Sequence, residues 1–587
     1  MATLQPTLGN EARKNKPILT HPVTRLLEHE RWQVGAHLAV AFVALLVGLL
    51  MGPFQTFRRS PWMQNTYGNL AEAVTGQEGL LITTPIFTYY YQALTLHGVL
   101  NALVFTTFFI MGISYFVVQR SLQRPMRSTL AVWLSFWMMA VGLLMAGYAI
   151  ISGQASVLFT FYPPMLAHWS FYLGLVLVVV GSWVGAFNTF ATYYAWRKDN
   201  PGKKVPLATY AIFANFLMWF TATLGVAVEI LTMLLPMSLG LIDTVDVQVA
   251  RVFFWFFGHP LVYFWLIPAY VSWYTMLPKQ LGVKLFSDTM GRIAFLTIAV
   301  VSIPIGVHHL FQDPGVSEIS KMYHSALTFV VVAPSLLTAF NVAATMERAG
   351  RKNGATNLID WTWKLPWGNP VVAAQFAGML LFIFGGISGI MNASYNMNTA
   401  LHNTTWVVGH FHTTLGGAVF LTYISITFWI LPMILRRKLY APRLALAHVY
   451  TWLFGMLLFA ATMGRGGFAG ATRRTDMGAP GAYVSEAMGF WMNGAAISGV
   501  ILLISTAFLY IVLVGTFFSE KQEESEMQTP VATEAPTDEY APPIMEKWRV
   551  WVIVIIISNI IMWGPVLIQA LDFTYGFWVT GRPDIAR

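Results

Sequence analysis

Long apolar runs separated by short polar stretches make up most of this 587-residue chain. A run of about 20 apolar residues is enough to cross a hydrocarbon core of about 30 Å as a helix. Thirteen such runs occur, centred near residues 44, 103, 139, 178, 221, 263, 302, 334, 382, 418, 456, 501 and 559. A closed barrel, the other structure that satisfies its own backbone in lipid, would show weak alternation in segments of about ten residues instead. The pattern predicts an all-α polytopic membrane protein with about 13 transmembrane helices. Composition agrees: 10% of the residues are charged, against roughly 25% in an ordinary soluble domain.

The polar stretches set the expected orientation. Taking alternate loops, one side receives Arg58, Arg59, Arg251, Lys321, Arg465, Arg473, Arg474, Arg582 and Arg587. The other receives all the rest of the 35 lysines and arginines, Arg120, Arg124 and Arg127 among them, and none is left within a span. By the positive-inside rule the N-terminus is expected in the cytoplasm. The net charge of +9 follows from this loop asymmetry and gives no reason to expect nucleic acid as a partner; membrane lipid is the expected surrounding.

The domain division that follows is a cytoplasmic N-terminal segment over 1–33 and a twelve-helix core over 34–518. An acidic, Pro-rich cytoplasmic linker over 519–545 then leads to a thirteenth transmembrane helix with a short outer tail over 546–587. With no cysteine, the chain holds no iron–sulfur cluster, thiolate copper centre or covalently attached c-type haem. No short apolar segment with a cleavage site precedes the first span, so a removable signal peptide is not expected.

Ionisable residues inside a span are costly and mark functional sites. Six histidines, His97, His259, His308, His309, His410 and His412, lie in apolar stretches and come to nearly one depth, the outer third, once the chain is threaded through a bilayer. Spacing limits how they share metals. His410 and His412 are two residues apart, so at about 100° per residue they point to opposite faces of a helix and serve two centres flanking it, with Phe411 at the gap. His97, alone on its helix, is available as the second axial ligand to one of those centres. The adjacent His308 and His309 diverge in a regular helix, yet Pro304 and Gly306 just upstream can loosen the ladder and let both reach one ion. With His259 they make a three-nitrogen site. Imidazole suits Cu, Fe and Zn, and spacing does not choose among them. Tyr263, four residues after His259, shares its face one turn on, and Tyr270 and Tyr274 stay within about 60° of the same line. A stripe of hydroxyls therefore descends toward the cytoplasm.

Gly258-His259-Pro260-Leu261-Val262-Tyr263-Phe264-Trp265-Leu266, His308-His309-Leu310-Phe311-Gln312-Asp313-Pro314-Gly315 and Gly409-His410-Phe411-His412 resemble the catalytic subunit of haem-copper oxygen reductases. Leu94-Thr95-Leu96-His97-Gly98-Val99-Leu100-Asn101 is similar to the segment carrying their low-spin haem ligand, and the likeness runs from the second through the twelfth span. It implies the subunit I fold and a terminal respiratory oxidase that reduces O2 to water while translocating protons. It also implies two haems and one copper. Carried over by residue, His97 and His412 are the axial pair of a low-spin haem, His410 the ligand of a high-spin haem, and His259, His308 and His309 the copper ligands. The resemblance further implies a covalent His259–Tyr263 link, with Tyr263 as the catalytic residue that supplies one proton and one electron when the O–O bond breaks. Ser335 and Thr338 resemble channel residues of the family; with Tyr274, Tyr270 and Tyr263 they complete an expected proton uptake path.

Departures narrow the subtype. Leu261 stands where many members carry a Glu that ends a second proton channel, and the loop 121–128 lacks an acidic entrance residue. Both fit the B-family and a single K-type channel. His402-Asn403 replaces the His-Asp found near the haem propionates in many members, so a carboxylate role is lost there. Arg473 and Arg474 are expected to pair with the propionates, and Glu229 is a candidate for proton exit or a partner contact. His21, His29, His37, His168, His324 and His448 match no motif and are expected to be structural.

Since the chain has no cysteine, the resemblance implies a second oxidase subunit bearing the dinuclear copper centre, with cytochrome c or a similar donor feeding it; quinol is the alternative. Tyr263 argues against a nitric oxide reductase, in which iron replaces copper and the linked tyrosine is lacking. A non-catalytic di-haem electron carrier would leave His259, His308 and His309 unexplained. A solute transporter would make the axial spacing accidental and would be supported by an inverted repeat, which is not evident. The expected location is the prokaryotic cell (inner) membrane.

Overall fold

The computed structural model describes residues 28–66, 90–522 and 540–575. Among them, twelve helices are long and apolar enough to cross a membrane. In chain order the first six are α1 (Glu30–Arg59), α2 (Tyr90–Leu122), α3 (Thr129–Ile151), α4 (Trp169–Asp199), α5 (Leu207–Ser238) and α6 (Val247–Gln280). After the shorter α7 (Asp288–Val301) come α8 (Glu318–Lys352), α9 (Pro370–Ala393), α10 (Thr405–Leu435), α11 (Pro442–Phe468), α12 (Glu486–Phe518) and α13 (Trp548–Asp572). The apolar run near residue 302 thus yields a helix of 14 residues rather than a full-length one. Pro304 has no N–H to continue the ladder, and Gly306 sits at φ +148°, a conformation that side chains with a Cβ rarely adopt. A single 3₁₀ turn, Val307–His309, follows the break.

Four spans contain a stretch wound to π geometry: Val99–Phe105 in α2, Ile230–Leu234 in α5, Ser272–Met276 in α6 and His412–Val419 in α10. One starts two residues after His97 and another at His412, in keeping with the tendency of such turns to fall at functional positions. Small residues let the helices close on one another, as expected where apolar burial alone gives no drive to associate. A Cβ on Gly142 of α3 would lie 2.4 Å from the Gly174 carbonyl of α4.

At the end of the bundle away from the histidines, the charges are more deeply set than loop counting predicts. Arg120 continues the last turn of α2 and is fully buried. It donates to both carboxylate oxygens of Glu30 at 3.0 and 3.1 Å, and this pairing is what makes the charge tolerable there. Glu546 accepts from Arg197 at 2.7 Å, Arg292 at 3.0 Å and the Val205 N–H at 3.2 Å, which anchors the start of α13. The N-terminal segment through residue 27, linker residues 523–539, the tail 576–587, His21 and the side chain of His29 lie outside the described residues. Three of the histidines expected to be structural have hydrogen-bond partners of their own, two within their own segment and one on the next helix. His37 donates to the Gln33 carbonyl at 2.8 Å, His168 caps α4 through Ser170, and His448 donates to the Ser505 carbonyl at 2.9 Å.

Candidate functional site: a histidine-lined cavity

His97, His259, His308, His309, His410 and His412 line one cavity of about 750 Å³, together with Tyr263, Phe411, His402, Asn403, Arg473 and Arg474. The sequence-predicted convergence is therefore met in space. How each ring is held tells which nitrogen it offers, because a carbonyl only accepts and the facing ring nitrogen must carry the hydrogen.

His97 of α2 donates from Nδ1 to the Gly48 carbonyl of α1 at 2.8 Å. His412 of α10 donates from Nδ1 to its own Val408 carbonyl at 2.9 Å. Both are left with Nε2 as the free lone pair, the arrangement usual for a metal-ligating imidazole. Their ring centres are 5.9 Å apart and the planes differ by 11°. That spacing is of the order one metal held by both rings would need, at about 2 Å per metal–nitrogen bond. Gly52 permits the approach of α1, since a Cβ there would come within 3.2 Å of the His97 ring.

His410 faces away, toward α9. Its Nδ1 donates to the Gly385 carbonyl at 3.1 Å and contacts Ser388 Oγ at 2.9 Å, again leaving Nε2 free. Gly389 makes room, because a Cβ there would lie 3.0 Å from the His410 ring.

His259, His308 and His309 form the third group, with one ligand atom from each lying within 4.8 Å of the others. His259 Nδ1 and His309 Nε2 are 3.4 Å apart, close to the spacing that two bonds of about 2 Å to one tetrahedral ion require. Thr328 gives its hydrogen to the His324 carbonyl at 2.6 Å, so its oxygen accepts from His308 Nδ1 at 3.0 Å. His308 Nε2 is then the free nitrogen. Trp255 stacks on His309 with centres 3.7 Å apart. His259 Nε2 is buried without a hydrogen-bond partner, on a ring whose centre is 4.9 Å from that of Tyr263.

Of the other polar groups the sequence singled out, Ser335, Arg473 and Arg474 line the cavity, whereas Tyr270, Tyr274, Thr338 and Glu229 do not. Tyr270 donates to Ser335 Oγ at 3.5 Å and Tyr274 to Thr338 Oγ1 at 2.9 Å, two rungs between α6 and α8 in matching register. Arg473 Nε is buried without a partner. Burial and then the neighbouring Arg474 push its guanidinium down to about 9, so an anion is the group missing from its surroundings. Arg251, by contrast, is already paired with Asp313 at 2.5 and 2.9 Å. Glu229 stands outside the cavity lining; it is fully buried and neither carboxylate oxygen has a hydrogen-bond partner among the described residues. It neither reaches the surface nor pairs locally.

Reading of the sequence missed Trp255, Thr328 and Ser388, which contact His309, His308 and His410 without bearing a motif. Gly385 and Gly389, four apart on α9, were the one available signal for the face that receives His410.

The family profile for cytochrome C and quinol oxidase polypeptide I matches residues 33–501, which include all six histidines. The chain belongs to this family. The oxidase subunit is 41% identical over 540 residues to cytochrome c oxidase subunit 1 of Thermus thermophilus, across 91% of this chain and 93% of that protein. It is 27% identical over 457 residues to ubiquinol oxidase subunit 1 of Acetobacter aceti, across 75% of this chain and 64% of that one. A haem-copper terminal oxidase dimer solved by cryo-EM gives a TM-score of 0.85 at 36% identity, with 95% of this chain and 96% of that chain covered. The chain is thus an integral, multi-pass subunit I of a haem-copper oxygen reductase. Haem and copper are the family's cofactors, and the free imidazole nitrogens and unpaired guanidinium fit them.

Proposed function

We propose that the chain is the catalytic subunit of a B-family, proton-translocating cytochrome c oxidase holding two haems and one copper. The observation that carries this is the division of six histidines around one cavity into a facing pair, a single ring and a cluster of three. His97 and His412 hold the low-spin haem, His410 the high-spin haem, and His259, His308 and His309 the copper. When bound, these groups supply the one-electron carriers and the metals at which O2 is reduced. Arg473 and Arg474 receive the propionates. The N-terminus is cytoplasmic and the histidine end faces outward, in the inner membrane of a prokaryotic cell.

Tyr263 holds a proton on its phenol oxygen beside the copper ligands and gives up a hydrogen atom as the O–O bond breaks. The unpartnered Nε2 of His259 supports a covalent link to the Tyr263 ring. Protons climb from Thr338 and Ser335 through Tyr274 and Tyr270 to Tyr263, with water bridging the last step. Leu261 offers no carboxylate for a second path. Electrons arrive from cytochrome c by way of a second subunit with a dinuclear copper centre, since this chain has no cysteine. Quinol as donor is the second reading, favoured by the likeness to a ubiquinol oxidase subunit.

Oxygen uptake driven by reduced cytochrome c tests the proposal. Thr338→Val removes the hydroxyl that Tyr274 donates to, and uptake is expected to fall by about tenfold or more, the loss typical of a positioned proton-transfer group. Unchanged uptake would remove Thr338 from the path. Uptake with reduced quinol but not with cytochrome c would favour the second reading.

A further inference from the structure

We propose that Trp563 of α13 is a positioning residue for the copper ligands: its indole braces the broken end of α7, so that His308 and His309 are held toward one ion. The inference rests on the reading of these histidines as a copper site.

A break in a membrane helix leaves carbonyls without their usual donors, and such groups are costly in lipid unless another part of the protein satisfies them. With the ladder ended at Val301, the Ile303 carbonyl takes its hydrogen bond from Trp563 Nε1 at 2.8 Å. The donor comes from 260 residues away. The same ring closes on Gly306: a Cβ there would lie 2.8 Å from the Trp255 carbonyl and 2.9 Å from Trp563 Cζ2. Gly306 is therefore held between two tryptophans, one of which stacks on His309. Its carbonyl in turn accepts from the His309 N–H at 3.0 Å, closing the turn that presents both ligands.

The rest of α13 reinforces the same segment. Only 22% of its apolar window is buried, so it lies at the edge of the bundle, yet from Met562 to Gln569 its polar contacts fall on the chain at and after the break. The Met562 carbonyl accepts from His324 Nε2 at 3.1 Å, and His324 packs edge-on against Trp563 with ring centres 5.2 Å apart. Gln569 accepts from the Ser317 N–H at 3.0 Å and from Ser320 Oγ at 3.1 Å. His324 continues the chain of support, since its carbonyl fixes Thr328 and Thr328 orients His308. The helix beyond the linker thus reaches the copper ligands from two directions, through Ile303 and Gly306 to His309 and through His324 and Thr328 to His308.

Trp563→Phe keeps the ring and deletes the donor, whereas Trp551→Phe, near the start of α13 where the indole donates to the Ile544 carbonyl, serves as the control. Both variants are prepared as the full oxidase and dialysed against a copper chelator, with copper and iron followed over time. Amide exchange is measured over residues 302–310. Trp563→Phe is expected to lose copper about tenfold faster than the wild type, within the range seen when an outer-shell partner is removed. Its haem spectrum and iron content are expected to be unchanged and exchange faster at 302–310 alone, with Trp551→Phe behaving as wild type. Wild-type copper retention and exchange in Trp563→Phe would overturn the inference, as would loosening spread evenly over the bundle. Absence from the wild-type oxidase of any copper beyond that of the second subunit's dinuclear centre would overturn the copper reading itself, a result distinct from either.

Discussion

Replacing Tyr263 by phenylalanine is expected to abolish oxygen turnover while both haems and the copper stay in place. The substitution removes one oxygen atom from a side chain that lines the cavity and packs 4.9 Å from the His259 ring, so little packing is lost. It does remove the O–H, and with it the one proton and one electron assigned to the phenol beside the proposed copper ligands. The drop in oxygen uptake is expected to be about 100-fold or more, the scale of a positioned proton donor. The proposed link to His259 would vanish with it, so a His259–Tyr263 peptide pair, joined in wild type and lighter by the two hydrogens lost on bond formation, would be absent from digests of the variant. Normal uptake with unchanged iron and copper would withdraw the role given to Tyr263.

The second large effect is expected from His97→Ala. His97 and His412 come from different helices, and each keeps one free nitrogen, with ring centres 5.9 Å apart. If these two rings hold a haem as proposed, truncating His97 would remove one of the two nitrogens that would hold it, and among the described residues no other imidazole packs against His412. The low-spin signal in the reduced spectrum is expected to disappear, while the carbon monoxide-binding haem held by His410 remains. Turnover should fall at least about 100-fold, since even the loss of an outer-shell partner can weaken a metal site by that much. If His97→Ala kept its low-spin spectrum, another residue would have to be the ligand.

That His410 and His412 face opposite ways was legible in the sequence, because an imidazole in an apolar run has few structural reasons to be there and helical angle alone separates the two rings. In the fold one turns toward the Gly385 carbonyl and the other toward His97. Tyr270 and Tyr274 were placed by the same arithmetic, and their hydroxyls do meet Ser335 and Thr338. What hydropathy could not convey was where a helix stops. The run near residue 302 looks continuous, yet Pro304 and Gly306 end it early, and this unwinding is what brings His308 and His309 together. Arg120 was read as a loop residue because its partner, Glu30, lies 90 residues away and only folding pairs them. The groups that orient the ligands were hidden for the same reason: Ser388, Thr328 and Trp563 reach their partners across 22, 20 and 260 positions. Nothing in the local pattern of a serine or tryptophan in an apolar helix announces such a contact.

Metal content and haem spectra of the purified oxidase, taken together, test the central claim most directly. Reduced-minus-oxidised and carbon monoxide difference spectra, combined with iron and copper quantification, are expected to show one low-spin and one carbon monoxide-binding haem, with two irons per copper in this chain and two further coppers where the second subunit with its proposed dinuclear centre is retained. Two haems with iron alone and no copper would contradict the account, because His259, His308 and His309 would then be holding something other than the copper assigned to them.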